Sequence, residues 1–215
     1  MAPIIGEDLL PSAAQGLVFD CDGTLVDSME LHFTAWHATC QLPQYGLTIT
    51  RKLMGDHAGV PIDRLFELVQ ELSEVLSGQS AGEVDREEFF AVLKDMYKTV
   101  HKPATLIEPV MDIVRAAQAR ALPMAVCSGG TAWHVDQALT ETGIKELFGA
   151  IVTSADVSKG KPNPEGFLLA AKKIGVPPEL CVGYEDAKLG LEAIEAAGFM
   201  KAVDVTVFPG YPLFG

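Results

Sequence analysis

Apolar and polar positions along this chain follow two different rhythms. Short apolar runs that stop abruptly at polar residues occur at residues 16–19, 123–127, 150–153 and 180–184, and a last strand is expected at 202–207. The first has the length and composition of a strand buried on both faces, as in a parallel sheet. Helical patterns separate them: residues 108–120, then 131–142 stopped by Gly143. Another is opened by Asn163 as N-cap with Pro164 at the first helical position and is closed by Gly175; the last runs to Ala197 and is closed by Gly198. Strands alternating with helices predict an α/β domain with a parallel sheet and right-handed crossovers.

The stretch from the first strand to about residue 100 keeps only the helical rhythm. Residues 29–41 read as a helix with Leu31, Ala35, Trp36 and Ala38 on one side, broken by Pro43-Gln44-Tyr45-Gly46. Leu65, Val69, Leu72 and Leu76 recur at helical spacing, and Phe89, Val92, Met96 and Val100 repeat it. Residues 77–82 read as a loop, and Asp85 with Glu88 makes a capping-box signature for the helix that follows. The block is an all-helical subdomain inserted into the α/β domain. The expected division is residues 1–29 and 101–215 for the core and 30–100 for the insert, with residues 1–15 as a short arm.

Composition narrows the class. With 215 residues, 48% of them hydrophobic and 21% charged, the chain can bury one large core or a core plus a smaller insert. A formal net charge of −13 disfavours nucleic acid and anionic membranes as partners. It would also repel a phosphate ester unless a metal and a few cations are concentrated locally. Cys21, Cys40, Cys127 and Cys181 show no metal-like spacing and read as reduced thiols. The N-terminus lacks a basic region and no apolar run is long enough to span a bilayer, so the expected compartment is the cytoplasm.

The chemistry gathers where the strands end. The first run stops at Asp20 and Asp22, and Gly23-Thr24 lets the backbone turn away. The second stops at Ser128-Gly129-Gly130, the loop after the third carries Lys159 and Lys161, and the fourth stops at Glu185-Asp186. In open α/β sheets ligands bind just outside the carboxyl ends of the strands. Taken singly, each piece has an ordinary reading as a turn, a solvated lysine or a surface acid pair. Taken together they supply carboxylates for Mg²⁺, a hydroxyl and backbone N–H groups for phosphate oxygens, and a point charge. Mg²⁺ favours hard oxygen ligands and keeps waters, so two or three carboxylates suffice. Phosphoryl transfer needs mainly positioning and charge neutralisation.

The order D-x-D-G-T, S-G, K-P and E-D resembles the haloacid dehalogenase-like hydrolase superfamily over nearly the whole chain. Phe19 to Ser28 stands for the first motif, Cys127-Ser128-Gly129 for the second, Lys161-Pro162 for the third and Tyr184 to Gly190 for the fourth. The likeness is to the β-phosphoglucomutase-like branch, and within it to small sugar phosphatases of the fructose-1-phosphatase type. It implies a Rossmann-like core with a helical cap, acting as a Mg²⁺-dependent phosphatase on a small phosphorylated metabolite such as a sugar or polyol phosphate. Asp20 is then the nucleophile that forms an aspartyl-phosphate, and Asp22 the general acid and base. Mg²⁺ is held by Asp20, the backbone carbonyl of Asp22, and Asp186, with Glu185 beside it. Thr24, Ser128, Gly129 and Lys161 form the phosphate-binding set, and Gly129 leaves room for backbone donors. The cap excludes water and selects substrate, with His32 and Arg64 matching cap-side contacts. The fold and cap suggest a monomer.

Other readings stay open. A dehalogenase needs neither Asp22 nor the metal, and a non-catalytic binder does not need the whole acid set. Arg64 can also pair with Glu67 or Glu71 on its own helix, and His32 can be a helix-face residue near Trp36. A sugar phosphomutase or a phosphoglycolate phosphatase would use the same core. In the mutases of this branch a lysine lies three residues after the second-motif serine, where this chain has Thr131, and another lies in the last cap helices. Only Arg86 or Lys94 stands near that second position.

Overall fold

A computed structural model describes residues 6–78 and 84–214. Its elements, in chain order, are β1 (Gly16–Phe19), β2 (Val26–Asp27), α1 (Met29–Cys40), α2 (Arg51–Asp56), α3 (Ile62–Ser77), α4 (Arg86–Thr99), β3 (Thr105–Leu106), α5 (Glu108–Ala119), β4 (Met124–Cys127), α6 (Ala132–Glu141), β5 (Ala150–Val152), α7 (Glu165–Lys173), β6 (Cys181–Glu185), α8 (Lys188–Ala196) and β7 (Lys201–Asp204). The chain divides into two compact units, at Asp27/Ser28 and at Pro103/Ala104, and Phe214 goes with the second.

The first unit is built on a five-stranded sheet of order β5-β4-β1-β6-β7, parallel throughout. Every residue of β1, β4 and β6 is buried, as a sheet covered on both faces requires. Period-two alternation sorts the side chains. Leu17 and Phe19 pack with the apolar faces of α5 and α6 (Val110, Val114, Val135, Leu139). Val18 joins Phe167 and Ala171 of α7 and Ile194 of α8. The sheet grows from β1 through β4 to β5, then resumes at β6 on the other side of β1. The carboxyl ends of β1, β4 and β6 therefore flank a topological switch point, where such sheets hold ligands.

Several local expectations change. The arm is held down over its described part: Leu10 and Ala14 are buried, and Arg120 donates to the carbonyls of Pro11, Ser12 and Ala14 at 3.1, 2.9 and 3.2 Å. Residues 1–5 and most of the loop expected at 77–82 (residues 79–82) lie outside the described residues. Helix α7 starts at Glu165 with Pro164 as its N-cap; Asn163 sits one residue earlier and its Oδ1 accepts from the Glu165 N–H at 3.0 Å. Strand β6 runs one residue further than the apolar run and includes Glu185. The antiparallel ribbon of β2 and β3 pairs Val26 with Leu106 and Asp27 with Thr105, so the points where the chain leaves and re-enters this unit lie side by side.

The second unit packs α1 to α4 around Trp36, Phe66 and Phe89, with ring centroids 5.6 Å apart for Trp36–Phe89 and 4.8 Å for Phe66–Phe89. Its buried stripes are not those the spacing suggested. Helix α1 buries Ala35, Trp36, Thr39 and Cys40 rather than Leu31 and Ala38. In α3 the buried set is Phe66, Val69 and Ser73, and Leu76 in the last turn is 61% exposed. The following Gly78 adopts φ 66°, a left-handed stop that lets the helix end there. In α4 the buried pair is Phe89 and Leu93, with Asp85 capping the Glu88 N–H at 2.8 Å.

Candidate active site

Strand β1 delivers Asp20 at its carboxyl end, and β6 delivers Glu185 as its last residue with Asp186 next. The loop before α7 carries Lys161 inward. Its Nζ lies 2.6 Å from Asp20 Oδ1 and 2.6 Å from Glu185 Oε2, all three side chains being almost fully buried. Ligand atoms of Asp20, Glu185 and Asp186 lie within 4.8 Å of one another. Glu185 Oε1 also accepts from the Ala187 N–H at 3.2 Å, which ties the cluster to the start of α8. Helix α8 can come this close because position 190 has no side chain: a Cβ there would lie 2.1 Å from the Glu185 carboxyl carbon. Lys159, by contrast, is exposed, and its backbone N–H donates to Glu165.

Electrostatics follow from three carboxylates facing one ammonium out of water. Burial opposes the charge on Lys161, but Asp20 and Glu185 outweigh it and hold the lysine charged. Burial, then repulsion within the cluster, pushes the acids upward. Asp20 is raised despite Lys161, Glu185 is raised further, and Asp186 is pushed up to about 7 by burial and the Asp20 charge. Such a net-negative, oxygen-only donor set fits a divalent cation of the Mg²⁺ class, which would relieve the repulsion.

The turn after β1 is held from two sides. Thr24, fully buried, donates from Oγ1 to Asp186 Oδ1 at 3.1 Å. Its hydroxyl thus orients the Asp186 carboxylate. Gly23 has φ 84° and an added Cβ would lie 2.4 Å from Asp186 Oδ2, so only glycine fits there. Tyr211 donates its hydroxyl to the Gly23 carbonyl at 2.7 Å.

Strand β4 is followed directly by the buried Ser128, whose Oγ accepts from the Gly130 N–H at 2.9 Å. The Ser128 proton remains to be given elsewhere. A Cβ on Gly129 would meet open space, whereas one on Gly130 would lie 3.1 Å from Ser128 Oγ. On the first turn of α6, His134 Nε2 lies 3.3 Å from Asp22 Oδ1. Burial works against a charged His134 ring, yet the Asp22 charge and hydrogen bond outweigh it and raise its pKa.

Reading motifs along the chain misses His134 and Tyr211. Only the N-cap Thr131, three residues before His134, hints that this side chain belongs to a first turn aimed at the strand ends. His32 and Arg64 lie in the helical unit. Nδ1 of His32 is 2.7 Å from the Tyr97 hydroxyl, and Arg64 pairs with Glu67 at 2.8 Å and Glu71 at 3.0 Å along α3. The four cysteines are buried and unpaired, and burial pushes Cys40, Cys127 and Cys181 up to about 12. Among the described residues no helix is long and apolar enough to cross a membrane.

The model of the haloacid dehalogenase-like hydrolases matches residues 14–198, from just before β1 to just after α8. The chain belongs to that family. It is 36% identical over 190 residues to the fructose-1-phosphate phosphatase YqaB of Escherichia coli K12, covering 88% of this chain and 95% of that one. To the validoxylamine A 7'-phosphate phosphatase of Streptomyces hygroscopicus subsp. limoneus it is 29% identical, over 84% and 81% of the two chains. The β-phosphoglucomutase of Clostridium difficile superposes with a TM-score of 0.72 at 22% identity, over 87% and 83%, which shows the shared fold.

Proposed function

We propose that this hydrolase is a Mg²⁺-dependent phosphoric monoester hydrolase acting on a small sugar or polyol phosphate through an aspartyl-phosphate. The observation that carries the reading is Lys161 bonded at once to Asp20 and Glu185 inside the acid cluster. An ammonium has three N–H donors; two are used here, and the third is available to a phosphoryl oxygen. The relatives named above act on phosphorylated sugars or sugar-like compounds, which supports the substrate class.

In the first step an Asp20 oxygen attacks phosphorus and the P–O bond to the alcohol breaks with its electron pair on the leaving oxygen. Asp22 gives that oxygen its proton. In the second step water attacks the phosphorus of the aspartyl-phosphate, Asp22 takes a water proton back, and Asp20 leaves as carboxylate. Ser128 and the backbone N–H groups of its turn bind the transferring group, with Lys161. Mg²⁺, held by Asp20, Asp186 and the Asp22 carbonyl with Glu185 alongside, would supply charge neutralisation for the phosphoryl oxygens. In this reading His32 and Arg64 serve substrate choice from the helical unit, which acts as the cap.

A phosphomutase must rebind a bisphosphate turned around and needs a second cationic phosphate site. Thr131 offers no charge, and its hydroxyl accepts the His134 N–H as the cap of α6. Arg86 is paired with Asp63 at 3.3 Å. Net phosphate release is therefore expected, with little exchange between glucose 1-phosphate and glucose 6-phosphate. A phosphate-release screen over small phosphomonoesters, with and without Mg²⁺ and repeated with Asp20→Asn, tests the proposal. Turnover by Asp20→Asn at the parent rate, or isomerisation of β-glucose 1-phosphate faster than phosphate release, would overturn it.

A further inference from the structure

We propose that His134 is a positioning residue: it ties one oxygen of Asp22 so that the other faces the phosphoryl-binding turn. The inference rests on the reading of Asp22 as proton donor.

A carboxyl group free to rotate presents either oxygen, and a proton donor is effective only if its acidic oxygen points at the leaving group. The contacts of Asp22 in the α/β unit break that symmetry. Oδ1 lies 3.3 Å from His134 Nε2, with both side chains largely buried. Oδ2 lies on the other side, 3.3 Å from where a Cβ on Gly130 would be; Ser128 Oγ is 3.1 Å from that same point. Oδ2 and the Ser128 hydroxyl thus both border Gly130, so Oδ2 is turned toward the phosphoryl-binding turn.

His134 is itself anchored. Thr131 caps α6 by accepting the His134 backbone N–H at 3.4 Å, which fixes the first turn and the direction of the imidazole. The neutral tautomer with hydrogen on Nε2 and the charged ring both donate to Oδ1, so the arrangement does not depend on the charge of His134. With Oδ1 held by His134, Oδ2 is the oxygen turned toward the Ser128 turn. Nothing in the motifs that define the family's reaction calls for a histidine here.

The test uses leaving groups that differ in their need for a proton. The full chain with Mg²⁺ is given p-nitrophenyl phosphate, whose leaving group departs as a stable anion, and an alkyl phosphomonoester that it turns over, fructose 1-phosphate first. Pre-steady-state kinetics isolate the first step. A well-placed general acid contributes about 10²–10⁴-fold, so His134→Ala should slow first-step cleavage of the alkyl ester by roughly 10–100-fold. KM should change little, and the nitrophenolate burst should slow by less than about threefold, as loss of proton donation alone predicts. His134→Gln keeps an N–H donor and should restore most of the alkyl rate. Equal slowing of both substrates, no slowing of the alkyl ester, or no recovery in His134→Gln would overturn the proposal. Asp22→Asn is the control. If it fails to discriminate between the leaving groups, the assignment of Asp22 falls and this role with it. If Asp22→Asn discriminates and His134→Ala does not, only the role of His134 falls.

Discussion

Two clusters in this protein have the same composition, one cation between two carboxylates, and very different surroundings. Lys161 lies between Asp20 and Glu185 with side-chain exposures of 6, 7 and 1%. Arg64 lies between Glu67 and Glu71 with exposures of 46, 56 and 59%. In the exposed cluster water competes for every charge, and such pairs contribute little to stability. In the buried one, desolvation raises the cost of each unpaired charge, and a third acid, Asp186, adds more negative charge than one ammonium can offset. One cation between two carboxylates thus makes a solvated helix face in one place and a buried cluster with surplus negative charge in the other.

The largest expected effect comes from removing the buried cation. Lys161→Ala leaves two desolvated carboxylates without their partner, at a cost of about 3–5 kcal/mol in Mg²⁺-free urea unfolding. Turnover should fall by roughly 10²–10³-fold with the loss of a phosphoryl contact. An unchanged urea midpoint would mean that burial does not make this cluster different.

Asp186→Asn removes an acid instead. Its folded-state pKa of about 7 lies above the ordinary 3.8, so ionisation opposes folding; the penalty is absent below about 3.8, grows as pH rises, and is complete above 7. In Mg²⁺-free buffer the variant should therefore gain stability over the parent between those pH values and then hold a constant margin. The Mg²⁺ concentration for half-maximal activity should rise tenfold or more, about 1.4 kcal/mol of lost cation binding. An unchanged Mg²⁺ requirement would remove Asp186 from the coordination sphere.

Gly190→Ala pushes a methyl group into Glu185 from α8. Overpacking of this kind costs about 1–3 kcal/mol, and Mg²⁺-dependent activity should fall with it because Glu185 holds Lys161. Normal stability and normal activity together would show that the α8 contact is not needed. At the small end, Arg64→Ala should leave the urea midpoint where it is. A change confined to KM for some substrates would assign Arg64 to substrate choice, and a shifted midpoint would show that the exposed cluster is more than a solvated face.

The strand ends were legible because parallel strands buried on both faces leave an unmistakable trace, an apolar run cut short by acids. Asp20, Glu185 and Asp186 could be placed that way, and Ser128 at the end of a like run; Lys161 lies in a loop beyond its strand and was told from Lys159 only by the K-P motif. What stayed hidden has physical causes. The ribbon of β2 and β3 has two residues per strand, too few for any period to register. In the helical unit aromatic packing chose Phe66 over the leucine spacing, and Leu76 in the final turn is 61% exposed. Thr24 donates to a carboxylate 162 positions away, a contact no local pattern announces. His134 and Tyr211 reach the site from 112 and 188 positions away, and no local string encodes such contacts.

The central claim, a phosphoryl group passing through Asp20, is tested most directly by rapid acid quenching with a ³²P-labelled aryl phosphate. Asp22→Asn should slow the hydrolytic step enough for the intermediate to accumulate. The account predicts protein-bound, hydroxylamine-labile label on the peptide that contains Asp20, lost in the Asp20→Asn/Asp22→Asn double variant. Label on any other residue, or phosphate release with no labelled protein at any quench time, would contradict it.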